Sequence, residues 1–433
     1  MSTSDAVAPF VAALKQNRMS KQQSTSSSES SSSSSSESST DDHDSSSLPA
    51  PPAAATASSS SSSSSPVVDS SAPATGNVFS HYYGQLAHQQ NMLADHVRTS
   101  TYQSAFYSNP SDFAGAAVLD VGTGSGVLAF FAVQAGARQV YAVEMSKAAN
   151  AARLLVKSNN CEERITVIQG KMEEVDIPEM VDVIVSEPLG FLLVHERMLE
   201  SFLTARDKWL KPGGKMFPSN STIFVQPFTD QSIWDEQKLK ADFWAETSFY
   251  GIDLSALKEQ AMVEHFSQPV VGYFHPNILI AGTPAKKFFD FQTAPISSLL
   301  SFSVPFSFEV TTTSICHGLA CWFDCDFLGS EATIVLSTAP DKPGTHWYQC
   351  RLLLRDPLAV NRGQRLHGIM HFTANDSYSY DVKLEAMVGD GTFVPRSDND
   401  IHLQDQHYHY LTSASSAVDS QGKGHVLGNA GQV

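Results

Sequence analysis

Between residues 85 and 210, short apolar runs alternate with stretches whose apolar positions recur at helical spacing. In residues 85–98 the positions Leu86, Leu93 and Val97 fall on one helical face and predict a helix. Residues 117–121, 139–143, 165–169 and 182–186 are apolar runs of strand length. Residues 126–135, 147–158 and 198–210 read as helices, the last ended by Lys211-Pro-Gly-Gly. This alternation predicts a parallel sheet with helices on both faces. After Phe217 the texture changes. Seven β-rich runs, at 221–226, 300–308, 320–327, 332–337, 348–353, 366–372 and 380–386, are separated by Gly, Pro, Asn or Asp turns. They predict an antiparallel barrel or sandwich. A helical stretch from Gln231 to about His265, carrying Trp234, Phe243, Trp244 and Phe249, interrupts them and is expected to protrude or to pack on something.

Composition adds two boundaries. Residues 24–71 are dominated by serine and hold too little apolar surface to offset their ordering entropy, so residues 1–77 are expected to be disordered. Residues 413–433, rich in Gly, Ser and Gln, are expected to form a flexible tail. The chain between them is long enough for two cores: an α/β domain over 78–217 and a β domain over 218–412. No apolar run is long enough to cross a membrane, and no secretory signal opens the chain. The five cysteines suit a reducing compartment. Cys316, Cys321 and Cys325 lack metal-ligand spacing and read as buried strand thiols; no metal is expected. The net charge of -17 opposes a nucleic-acid phosphate track and suits a basic partner, although acidity also serves plain solubility.

The sharpest local motif is Val118-Leu-Asp-Val-Gly-Thr-Gly-Ser-Gly126, where the first strand of the sheet passes into a helix. Glycines there let the backbone turn tightly and approach a ligand. Gly122, Gly124 and Gly126 give GxGxG, whereas a dinucleotide site wants GxGxxG to seat a pyrophosphate. A cofactor without pyrophosphate is favoured, with S-adenosylmethionine the leading one and a Rossmann-like domain around it. Glu144 closes the next strand, where a carboxylate accepts from ribose hydroxyls. After the third strand comes Gly170-Lys-Met-Glu-Glu174, where Met172 is expected to face the adenine and Glu173 to accept from its amine.

Directly after the fourth strand stands Ser186-Glu-Pro-Leu-Gly-Phe-Leu-Leu-Val-His-Glu196. Strand carboxyl ends line the ligand crevice of an open α/β sheet, so Glu187 belongs near the cofactor. The apolar residues 189–194 fold the loop back and bring Glu196 beside it. A general acid/base pair, metal ligands and a cation clamp are the three readings. The metal reading lacks further ligands and the acid/base reading leaves the methyl donor unexplained. A clamp explains it, because carboxylates meet the planar guanidinium fork bidentately. Taken alone, Glu196 also suits a capping role, since it opens the predicted helix.

With these stretches the sequence resembles the protein arginine methyltransferases, and most closely the coactivator-associated branch with its plant relatives. The likeness runs from about Phe79 to Leu411. It is carried by His81-Tyr-Tyr-Gly-Gln-Leu, Gln89-Gln-Asn-Met-Leu, Val97-Arg-Thr-Ser-Thr-Tyr, the glycine motif, the two-glutamate loop, Gly251-Ile-Asp-Leu-Ser-Ala-Leu and Thr345-His-Trp-Tyr-Gln. The resemblance implies a type I enzyme that makes monomethyl and asymmetric dimethylarginine on histone H3 and RNA-associated proteins, in nucleus and cytoplasm. It implies a homodimer formed through an arm at about 229–262. Arg98 would bind the cofactor carboxylate, with Gln89, Asp120, Gly122, Gly124, Gly126, Glu144, Met172, Glu173 and Ser201 completing that site. Glu187 and Glu196 would clamp the substrate guanidinium. His346 would pair with Asp95, Met92 would stand beside the accepted methyl, and Tyr83 and Trp347 would line the substrate pocket.

The chain departs from this family at defined places. The family opens its cofactor-covering helix with Tyr-Phe-x-x-Tyr, where this chain has Phe79 and Ser80 before Tyr83. Leu189, Phe191 and His195 replace the branch's Met, Tyr and Asn. The serine tail stands where the vertebrate branch has a pleckstrin-like domain. A small-molecule N-methyltransferase and a catalytically weak coactivator scaffold of the same fold are the competing readings. The complete two-glutamate and Thr-His-Trp loops oppose the first, and the intact glutamate clamp opposes the second.

Overall fold

A computed structural model describes residues 76–391 and 394–409. The serine-rich segment and the 413–433 tail lie outside the described residues. Three helices lead in: α1 (Gly76–Tyr83), α2 (Leu86–Ala94) and α3 (His96–Tyr107). The single helix expected over 85–98 is thus two. Asp95 breaks it with extended backbone and caps the next helix, its carboxylate accepting from the Arg98 N–H. A carboxylate at that position satisfies one of the orphan donors of a helix start.

The α/β domain follows as β1 (Ala117–Val121), α4 (Val127–Gln134), β2 (Gln139–Glu144), α5 (Ala148–Ser158), β3 (Ile165–Gln169), β4 (Val181–Ser186), α6 (Met198–Trp209) and β5 (Leu210–Phe217). The sheet is parallel in the order β3-β2-β1-β4-β5. The central β1 is buried at every residue, which explains why four of its five residues are apolar, Asp120 being the exception. Helix α5 buries only Ala148, Ala149, Ala152 and Val156 and leaves its polar side in water. The strand order reverses between β1 and β4, so the crevice at their carboxyl ends is where a ligand belongs. Val121 pairs with Ser186, and this register sets Gly122 and Glu187 side by side at that crevice.

Two readings of this region are corrected. Lys211-Pro-Gly-Gly does not simply stop a helix; it lies within β5, an edge strand that tolerates proline and glycine. Glu196 does not open helix α6 either. Glu196 and Arg197 both have left-handed backbone, and the helix begins after them.

The β domain contains β6 (Asn220–Phe228), α7 (Gln231–Asp242), α8 (Lys258–Phe266), β7 (Val270–Gly272), β8 (Ala285–Asp290), β9 (Ser301–Glu309), β10 (Ser314–Leu328), β11 (Thr333–Ser337), β12 (Gln349–Val360), β13 (Arg365–Ala374), β14 (Tyr380–Val388), β15 (Arg396–His402) and β16 (His407–Tyr408). One sheet runs β16-β7-β12-β10-β6-β8 with β11 beside β10; the other runs β15-β14-β13-β9. Their edges meet at both corners. Asn399 of β15 donates to Leu353 O of β12, and Ala281 bridges to Val310 next to β9. The expected barrel is therefore two sheets closed on each other. Strands β9, β14 and β15 alternate buried and solvent-facing residues. The middle of β10 is buried on both faces, because Ile233 and Phe266 of α7 and α8 pack with Trp322 and Phe228 on its outer side. All five cysteines are buried free thiols, three of them on β10. Beyond this root the helical stretch projects apolar groups into solvent: Leu239, Tyr250 and Ile252 are 73%, 92% and 60% exposed.

Candidate active site

The turn after β1 is shaped by its glycines. Gly122, Gly124 and Gly126 all have positive φ. A Cβ on Gly122 would stand 2.3 Å from Met198 Cε, and one on Gly124 would stand 2.6 Å from Gln89 Oε1. Gln89, buried on α2, accepts from the Ser125 N–H at 3.0 Å and donates to Tyr83 O at 3.0 Å, tying the leading helices to the turn. Glu144, at the end of β2, accepts from Gly124 N–H at 2.9 Å and Ser146 N–H at 2.7 Å. Asp120 is fully buried. It accepts from Thr123 Oγ1 through Oδ2, while among the described residues no hydrogen bond of ordinary geometry reaches Oδ1. Burial pushes its carboxyl up to about 7, against the pull of the Thr123 bond. On the far side Met172 is buried, and Ser201 Oγ donates to Glu173 at 2.5 Å.

The two glutamates stand at the other lip of the crevice. Residues Leu189, Phe191, Leu192, Leu193 and Val194 are buried, which gives the loop a reason to fold back. The reversal is tight: Leu192 and Leu193 have positive φ, and Gly190 passes so close to His195 that a Cβ would lie 2.0 Å from its carbonyl oxygen. The Tyr83 hydroxyl donates to Glu196 at 2.8 and 2.7 Å. Burial raises the Glu196 carboxyl to about 7; the Tyr83 bond opposes this and the Glu187 charge adds to it. Tyr83 is itself held well above its ordinary value by burial and by Glu196. Glu187 accepts from Leu189 N–H at 3.2 Å and from Arg98 Nη2 at 3.1 Å. The structure thus sets Arg98 on the first glutamate. Arg98 is 5% exposed, and among the described residues its Nε and Nη1 have no hydrogen-bond partner. Buried orphan donors of this kind suit an anionic group.

The β domain reaches the site through residues 345–347. The His346 backbone N–H donates to Asp95 Oδ2 at 2.8 Å, and its Nδ1 lies 2.7 Å from the same oxygen. Burial pushes the Asp95 carboxyl up, but the bonds from His346 and Arg98 outweigh it and hold it below the usual range. Trp347 is expected to line the substrate pocket. It is 4% exposed and holds the glutamate loop, donating from Nε1 to Leu189 O at 2.7 Å. Met92 is half-buried on α2, one turn before Asp95, and among the described residues no bonded contact joins its side chain to either glutamate. Four contacts have no signal in the sequence because their partners lie far apart along the chain: Arg98 with Glu187, His195 Nδ1 with Ser379 Oγ at 2.9 Å, and Phe79 edge-on to both His195 and Tyr378.

Comparison with known proteins decides the family. Residues 219–390 match the arginine methyltransferase oligomerization subdomain, and residues 104–220 match the ribosomal protein L11 methyltransferase model. The solved structure of Arabidopsis thaliana protein arginine methyltransferase 10 is 33% identical, covers 75% of this chain and is itself 99% covered, with a TM-score of 0.69. The chain belongs to the protein arginine methyltransferases. A second member, the Trypanosoma brucei PRMT1 enzyme-prozyme heterotetrameric complex with AdoHcy, is 34% identical over 74% of this chain and 99% of its own, with a TM-score of 0.66. The histone-arginine methyltransferases CARMER of Anopheles gambiae and Drosophila yakuba are 48% and 46% identical, over 81% and 78% of this chain. The chain spans 55% and 63% of those two relatives. For a methyltransferase of this family the crevice has the right chemistry. Orphan Arg98 donors suit a carboxylate, Glu144 suits ribose hydroxyls, and the Glu173–Ser201 pair suits an adenine edge.

Proposed function

We propose that the chain is an S-adenosylmethionine-dependent protein arginine methyltransferase of type I. The observation that carries the reading is the pair Glu187 and Glu196, both half-buried, in the loop that leaves the carboxyl end of β4 beside the glycine turn. When bound, S-adenosylmethionine supplies an electrophilic methyl group. Its carboxylate would meet Arg98, its ribose Glu144, and its adenine Met172, Glu173 and Ser201. The chain's own residues then act on the guanidinium. Two carboxylates draw its positive charge to one side and leave one terminal nitrogen more electron-rich. Asp95 and His346 hold the helix break and the Thr-His-Trp loop in register, and Trp347 braces the glutamate loop from behind. Orientation and electrostatic preorganisation are the main contributions, since a guanidinium is not deprotonated in water.

The reading extends to substrates and assembly. Histone H3 tails and RNA-associated proteins are the proposed substrates, in nucleus and cytoplasm, with a role in transcription and chromatin regulation. The CARMER relatives are named histone-arginine methyltransferases, which supports the histone substrate, and the acidic charge of this chain suits a basic tail. The exposed apolar stretch between α7 and α8 supports a homodimer through that arm. Mass spectrometry of histone H3 incubated with the chain and S-adenosylmethionine tests the type. Asymmetric dimethylarginine is expected from the Met92 assignment; symmetric dimethylarginine would overturn it.

A further inference from the structure

Glu196 is bracketed by two contacts from one distant turn. Residues 375–379 link β13 to β14 in the β domain. On one side of Glu196, His195 Nδ1 shares a hydrogen bond with Ser379 Oγ, whose residue is fully buried. On the other side, Arg197 Nη1 donates to Asn375 O at 2.7 Å, while the rest of that guanidinium pairs with Glu200 at 2.7 and 3.0 Å. The turn is itself braced. Asn375 Oδ1 accepts from the Ser377 and Ser379 N–H groups, and Asn375 N–H donates to Ser379 O. Between these anchors Glu196 and Arg197 hold left-handed backbone at φ 73° and 55°. That conformation is unfavourable for residues with a Cβ and persists only where surroundings enforce it. The rings of Phe191 and Phe79 pack on the His195 ring with centroids 4.4 and 6.4 Å away.

We propose that the 375–379 turn is a positioning element for the second clamp carboxylate, with His195 as the positioning residue that carries the contact. It holds both neighbours of Glu196 and so fixes the carboxylate against Tyr83 and across from Glu187. Burial keeps the His195 ring neutral, with its pKa down at about 4, so the latch does not switch over the ordinary pH range. The proposal rests on Glu196 being a clamp carboxylate, as in the preceding subsection.

Hydrogen–deuterium exchange of the full chain reads the latch directly, and steady-state kinetics with an arginine peptide reads its consequence. Ser379→Ala and His195→Leu are expected to speed exchange at residues 194–198 about tenfold, with β1 and β4 unchanged. They are expected to lower kcat about tenfold, with the KM for S-adenosylmethionine kept. In His195→Asn an amide takes the place of Nδ1, and both readouts should stay within about twofold of native. Unchanged exchange at 194–198 in both Ser379→Ala and His195→Leu would overturn the proposal. A native chain that transfers no methyl group, yet loses protection at 194–198 on Ser379→Ala, would overturn the activity and leave the latch standing.

Discussion

At the scale of single residues, the site turns on how Glu196 ionises. Two groups act on it: the Tyr83 hydroxyl and the Glu187 charge. Its carboxyl sits at about 7 because burial and the Glu187 charge together exceed the help of Tyr83. A protonated Glu196 withdraws one half of the clamp. The value of kcat/KM for an arginine peptide should therefore rise about tenfold per pH unit on the acid side and level off above about 7. Removing the hydroxyl in Tyr83→Phe removes a stabiliser of the charged form, so that limb should move to higher pH. A limb unmoved, or moved to lower pH, would show that Tyr83 does not set this ionisation. The glutamate pair itself was legible in the sequence, from its place after an apolar strand and before a buried run. The partner of Arg98 was not. The ion pair with Glu187 joins residues 89 positions apart, and no local periodicity encodes it.

Elements were legible where their burial is regular. Strands β1, β2 and β4 are mostly apolar and buried inside the parallel sheet; the edge strand β3 is less buried, and all four lie within one residue of their expected bounds. Strand β5 escaped because Lys211-Pro-Gly-Gly reads as a stop, and an edge position accepts what a central strand would refuse. The break at Asp95 escaped because apolar spacing continues across it; the cap and the His346 contact, which fix the break, are tertiary. One element-scale prediction concerns the joint between α3 and the β10–β11 turn. Asn109 is fully buried and accepts from the Glu331 and Ala332 N–H groups, and a Cβ on Gly329 would lie 1.9 Å from its Cγ. Gly329→Ala should cost about 2 kcal/mol by overpacking. Thermal denaturation would report a Tm lowered by a few degrees. A Tm equal to native would mean that the turn moves aside freely.

At the scale of the whole molecule, the two domains act on one crevice from opposite sides. The α/β domain supplies the glycine turn, Arg98, Glu144 and both glutamates. The β domain supplies no carboxylate to the clamp but contacts its surroundings through His346, Trp347, Ser379 and the Asn375 carbonyl. The change of texture at Phe217 made the division legible, because parallel-sheet strands and alternating β strands differ in their apolar pattern. How the second half leans on the first was not legible, because those contacts span 158 to 251 positions in the chain. The acidic charge fits encounter with basic tails and does not by itself select arginine. In the proposed function the selection lies in the pair of carboxylates. Transfer of labelled methyl from S-adenosylmethionine to histone H3 tests this most directly, comparing the native chain with Glu196→Gln. The native chain should label arginine, and Glu196→Gln should fall at least a hundredfold while still binding S-adenosylhomocysteine, the loss expected when one preorganised electrostatic group is removed. Equal labelling by the two proteins would contradict the clamp.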